Sequence, residues 1–162
     1  MIKPLFQNIL VLLNGTDASI NAVRYAVLMA KLYRSRVYAV YVVDTATIKQ
    51  LTLNRIFIDE ESREYEQSLE ENGHRYLSYA EELGKAKGVK IETELRRGAI
   101  WSEVVTMSEE RKMDLILLGG QEGETVDSKD IMSSTYRSVM MNARCSVLIV
   151  KERMIEQLFK LA

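Results

Sequence analysis

Three stretches of this chain are apolar at almost every position, and each is too short to be a fully buried helix. They lie in residues 7–13, ending Ile9-Leu10-Val11-Leu12-Leu13, in residues 114–118, with Leu115-Ile116-Leu117-Leu118, and in residues 146–150, with Val147-Leu148-Ile149-Val150. A strand with one wet face alternates apolar and polar residues, whereas a strand covered on both faces does not. The three runs therefore read as strands of a sheet that carries helices on both sides. Between them the spacing changes. Ala22, Val23, Ala26, Val27, Met29 and Ala30 recur at three- and four-residue intervals, the mark of an amphipathic helix, which Thr16 or Asp17 can cap.

The same reading carries along the rest of the chain. Residues 36–43 form a strand, 45–58 a loop with a helical turn, and 60–87 a long polar helix closed by Lys87-Gly88. Residues 89–95 alternate, as suits an edge or half-solvated strand; 101–112 and 133–142 are helices around the 114–118 strand. Strands alternating with helices imply a parallel sheet, and its ligands sit beyond the carboxyl ends of the strands. Those ends are Asn14-Gly15-Thr16, Val42-Val43-Asp44, Arg97-Gly98 and the segment 119–123.

Composition removes several functions. Across 162 residues, 22 basic and 23 acidic side chains leave a formal charge of -1, so no overall field draws the chain to nucleic acid or an anionic membrane. No apolar run is long enough to span a bilayer, and nothing resembles a signal peptide. Cys145 is the only cysteine, so an intramolecular disulfide is impossible and a reducing, cytoplasmic setting is expected.

The richest strand end is Gly119-Gly120-Gln121-Glu122-Gly123, followed by Ser133-Ser134 at the expected start of a helix. Glycine there lets an anion reach main-chain N–H groups, and a helix start favours phosphate. Glycine in such a loop serves tight packing equally well. The loop also holds Glu122, Glu124, Asp127 and Asp130 against Lys129, a charge balance that opposes a triphosphate unless a divalent cation intervenes.

Gly120, Gly123, Ser133 and Ser134, at their mutual spacing, resemble the nucleotide motif of the universal stress protein family. The first strand and loop, residues 9–19, the strand end Tyr41-Val42-Val43-Asp44, the turn Arg97-Gly98-Ala99 and the tail 134–151 resemble that family too. The resemblance covers roughly residues 8–151. It implies a five-stranded parallel sheet in order 3-2-1-4-5, a Rossmann-like three-layer sandwich, over one domain of residues 1–151, extended by a helical tail at 152–162. It further implies ATP (with magnesium) or AMP held by Leu12, Asn14, Val42, Gly119, Gly120, Gly123, Ser133, Ser134 and the Thr135 main chain. The family carries aspartate where Asn14 stands and glycine where Ser133 stands. A second reading is thus a dimeric interaction module of the same fold without nucleotide, and a third is a small-molecule hydrolase using Asp17, Asp44 and the acidic loop.

Other tempting residues read more simply. His74, the sole histidine, falls mid-helix and suits a surface position; Cys145 suits a small buried thiol; Trp101 suits packing rather than covering an adenine. No serine–histidine–acid triad can be assembled, and no motif supplies a base, so at most slow ATP hydrolysis is expected. The last strand should be a sheet edge and, with Met154, Ile155, Leu158, Phe159 and Leu161 after it, should drive homodimerisation.

Overall fold

The computed structural model describes residues 2–120 and 126–162, and the side chains of all these except 126–133. Five parallel strands, β1 (Asn8–Leu13), β2 (Arg36–Asp44), β3 (Ile91–Gly98), β4 (Leu115–Gly119) and β5 (Ser146–Val150), form one sheet in the order β3-β2-β1-β4-β5. This is the expected order. The central run is buried on both faces, as its unbroken apolarity required: residues 9–13 of β1 are at most 2% exposed.

The two faces gather different residues of the same strands. Ile9, Val11, Leu13, Ala39, Tyr41 and Val43 pack with helix α1 (Asp17–Tyr33), with Leu77 and Ala80 of α3 (Asp59–Lys85), and with Phe159 of α6 (Ile155–Leu161). Leu10, Leu12, Val40, Val42, Ile116 and Leu118 pack with Val104 and Met107 of α4 (Ile100–Glu110) and Val139 of α5 (Val126–Asn142). The period of two along each strand divides the core between the layers. Thr16 caps α1, its side chain accepting from the Ser19 N–H.

Three expectations need correction. Residues 45–53 are a full helix, α2 (Thr45–Leu53), not a loop with a single turn. Asp44 ends β2 and at once caps α2, accepting from the Thr47 N–H at 3.0 Å and the Thr47 hydroxyl at 2.7 Å. One residue serving as strand end and cap left no turn cluster to read. Second, α5 begins at Val126 rather than at Ser133. No glycine or proline stands between Val126 and Asn142, so nothing interrupts a helix, and the serine pair lies inside it.

Third, the chain itself covers part of the tail's apolar face. Ile155 and Phe159, one helical turn apart, are 1% and 8% exposed, while Met154, Leu158 and Leu161 remain exposed. The helix is tied to this layer by an Arg24–Glu156 ion pair at 3.7 Å and by Lys87 over the Phe159 ring. Among the described residues no helix is long and apolar enough to cross a membrane.

Candidate functional site

The loop from β1 to α1 is held by its own side chains. Asn14 Oδ1 accepts from the Thr16 N–H at 3.1 Å and from the Thr16 hydroxyl at 2.6 Å. The Asn14 N–H donates to Ser19 Oγ at 3.3 Å, and the Ser19 hydroxyl donates to the Thr16 carbonyl at 2.8 Å. Such a turn, closed by an asparagine side chain, presets the chain for the helix that follows. Gly15 occupies the left-handed region with φ 82°, and a side chain there would press on Tyr76. The carbonyl oxygen of Asn14 thus already uses both its lone pairs inside the loop.

At the end of β4 the glycines answer to packing. A Cβ on Gly119 would lie 2.4 Å from the Ala18 backbone, and one on Gly120 would lie 2.6 Å from the Val150 carbonyl oxygen. The Gly120 N–H donates to that carbonyl at 2.8 Å, while the Gly119 carbonyl accepts from the Tyr136 hydroxyl at 2.8 Å. These contacts draw β4, β5, α1 and α5 together, and only glycine fits between them. Gly123, Glu122 and Glu124 lie outside the described residues, while Asp127, Asp130 and Ser133 fall within α5 with their side chains outside the description. Ser134 is exposed, and with Thr135 it sits within α5.

A cavity of about 200 Å³ opens at the carboxyl ends of β1 and β2. Its walls are Leu12, Leu13 and Asn14 from β1 and its loop, Tyr41, Val42 and Asp44 from β2, Ile100 from α4, Thr47, Ile48 and Leu51 from α2, and Tyr65 and Leu69 from α3. It is apolar inside with polar groups at the rim, and it is smaller than the roughly 300–1,000 Å³ of pockets that enclose a whole drug-sized ligand. A flat aromatic base fits such a volume; a complete nucleotide would extend past its rim. Burial foremost, then the nearby Tyr76 and Tyr65, pushes the Tyr41 phenol above its ordinary value, so it stays a protonated donor. Tyr41 stacks on Tyr76 with centroids 6.3 Å apart.

The structure therefore brings together Leu12, Asn14 and Val42 of the expected set, and places Gly119 and Gly120 at the end of the neighbouring strand β4, outside the cavity walls. Tyr41, Ile48, Leu51, Tyr65, Leu69 and Ile100 were not foreseen at the site. The four-residue step from Tyr65 to Leu69 was visible as a helix face, but nothing local says which strand end that face meets. Trp101 does not line the cavity; its neighbour Ile100 does. His74 is exposed on α3, 3.9 Å from Glu70. Cys145 is half-buried, and burial foremost pushes its thiol above the ordinary range. Asp17 lies in the first turn of α1, away from the cavity walls, and Asp44 is engaged as the α2 cap, so they form no acid pair.

Comparison with known proteins adds a lineage to this geometry. Residues 5–151 match the model of the universal stress protein family. Universal stress protein MJ0531 of Methanocaldococcus jannaschii is 34% identical over 149 residues, spanning 91% of this chain and 84% of its own. Among solved structures, UspA of Lactobacillus plantarum superposes with a TM-score of 0.73 at 22% identity, covering 90% of this chain and 98% of that one. A universal stress protein of Archaeoglobus fulgidus, solved in complex with dAMP, gives 0.61 at 18% identity over 91% of this chain and 99% of its own. The sheet order and a match along most of the length agree, and the chain belongs to the universal stress protein family.

Proposed function

We propose that this chain is a cytoplasmic, homodimeric stress-response regulator that binds an adenine nucleotide, ATP or AMP, at the carboxyl ends of its strands. The observation that carries the reading is the cavity walled by Leu12, Asn14 and Val42, three residues of the expected nucleotide set on two adjacent strands. The dAMP complex of the Archaeoglobus fulgidus relative supports an adenine base as occupant. Leu12, Val42 and Ile100 would sandwich the base, with Asn14 and Asp44 at the rim near the sugar. Phosphates would extend along Gly120 to Gly123 toward Ser133 and Ser134, with magnesium shielding the acidic loop when the ligand is ATP. Asp44, the acid at the cavity, spends both carboxylate oxygens on the α2 cap, so slow turnover at most is the expectation.

One observation favours the second reading, a nucleotide-free interaction module. Asn14 Oδ1 is engaged twice by Thr16, so a ribose hydroxyl must displace the Thr16 hydroxyl to reach it. Calorimetric titration with AMP, and with ATP and magnesium, separates the two. Binding should be seen, should vanish in Gly123→Val and in Leu51→Trp, which fills the cavity, and should tighten in Asn14→Asp combined with Ser133→Gly. A flat titration for both the wild type and that double variant overturns the nucleotide reading in favour of the module.

A further inference from the structure

We propose that the amino-terminal end of the sheet carries a second binding site, for a small multivalent phosphate anion, formed by Arg34, Ser35, Arg36 and Lys90. A cavity of about 410 Å³ lies between the turn joining α1 to β2 and the turn joining α3 to β3, and all four residues line it. Three cations face one carboxylate there, that of the exposed Glu92. Five other arginines, Arg24, Arg96, Arg97, Arg111 and Arg144, each pair with glutamate. Arg34, Arg36 and Lys90 form no ion pair among the described residues. Three like charges beside one carboxylate repel on balance, and an anion between them reverses the sign of that interaction.

Two independent features point the same way. Ser35 Oγ is buried and makes no hydrogen bond among the described residues, an uncommon state for a buried hydroxyl. Arg34 closes α1 in the left-handed conformation, φ 57° and ψ 38°, a position where glycine or asparagine is the usual choice. The backbone explains the turn but not the arginine. Two guanidinium forks offer paired N–H donors matched to phosphate oxygens, Lys90 adds a point charge, and a change of rotamer would bring the buried Ser35 hydroxyl in as a further donor. A recess with a buried hydroxyl suits a small anion rather than an extended polyanion, which would need a basic stripe. The site is separate from the strand-end cavity. β2 runs from Arg36 to Asp44, so the two lie about 25 Å apart at roughly 3.3 Å per residue.

The probe is inorganic pyrophosphate, titrated at low ionic strength into the full chain by calorimetry, with amide chemical shifts followed in parallel. Pyrophosphate should bind more tightly than orthophosphate and should move the amides of residues 34–36 and 88–90. Arg34→Asn, which keeps a residue tolerant of the left-handed turn, and Arg36→Gln should each weaken binding about tenfold, the loss expected for one charge-assisted contact. Gly123→Val should leave it unchanged, so failure of the strand-end site does not touch this result. The proposal is overturned if pyrophosphate gives no binding at millimolar concentration. It is equally overturned if the shifts map to the strand-end loops, or if Arg34→Asn and Arg36→Gln bind as the wild type does. Should either variant unfold by circular dichroism, the shift map on the wild type decides.

Discussion

The sheet ends in two edges, and they are built in opposite ways. β3 presents Glu92, Glu94, Arg96 and Arg97 along its length, whereas β5 presents Val147, Leu148, Ile149 and Val150 with no charge among them. On the β3 side Arg96 is held by three carboxylates, Glu103 at 2.9 Å, Glu94 at 3.0 Å and Glu110 at 3.0 Å, and Arg111 reaches Glu94 at 3.1 Å. Arg97 pairs with Glu70 at 2.8 Å and Glu66 at 3.6 Å on the other face. Both edges leave backbone donors and acceptors unpaired within the chain, but charge closes one edge to a further strand while apolar residues leave the other receptive. The contrast makes β5 the edge at which the proposed homodimer would form, and α6 packs with α1 and α3.

The largest expected effect comes from giving the β5 edge the character of β3. Leu148→Lys should convert the proposed homodimer into a monomer, and light scattering at micromolar concentration should then return 18.6 kDa. A wild type that already scatters at that mass would remove the functional meaning of the contrast. Next in size is removal of the cation that organises the β3 edge. Arg96 is only 17% exposed, and its loss leaves Glu94, Glu103 and Glu110 clustered, with the Arg111–Glu94 pair as the cluster's remaining ion pair among the described residues. Arg96→Met should lower stability by about 2 kcal/mol, a fall in Tm of roughly 4–8 °C for a chain of this size. An unchanged Tm would mean that the network shapes the edge without stabilising it.

The smallest effect is a pH dependence at the rim of that network. The Arg96 guanidinium, first by hydrogen bond and then by charge, holds the Glu110 carboxyl below its ordinary value of 4.5. A carboxyl lowered in the folded state stabilises above its unfolded value and ceases to do so as pH falls through the lowered one. Glu110→Gln should therefore melt slightly below the wild type at neutral pH, and the gap should close as pH falls below about 4.5. Glu110 is exposed, so the neutral-pH gap should be small and should shrink further with added salt. A gap that widened on acidification would place the interaction elsewhere.

How much of this was legible beforehand depends on the range of the forces involved. The strands at 9–13, 115–118 and 147–150 could be read because burial on both faces demands apolarity at every step, and that demand is local. Helix α1 was legible for the same reason, through its spacing and the Thr16 cap. The residues Leu12, Asn14 and Val42 could be named through likeness to a family, and they do meet at one cavity. The start of α5 and the extent of α2 were missed. The expected start of α5 fell instead at the serine pair because that pair fits a family motif, and Asp44 concealed the start of α2 by ending a strand as well.

By itself the sequence determined the sheet, its alternation with helices and the placing of candidate sites at strand ends, since these follow from periodicity and turn chemistry. Tertiary structure decided the rest. It made Gly119 and Gly120 necessary for close packing, set Tyr65 and Leu69 of α3 against the ends of β1 and β2, and folded Ile155 and Phe159 back onto the chain's own core. It also brought Arg34 and Arg36 beside Lys90, more than fifty residues further on. Contacts of that kind join residues distant along the chain, and their geometry comes from how layers pack, which no local pattern records.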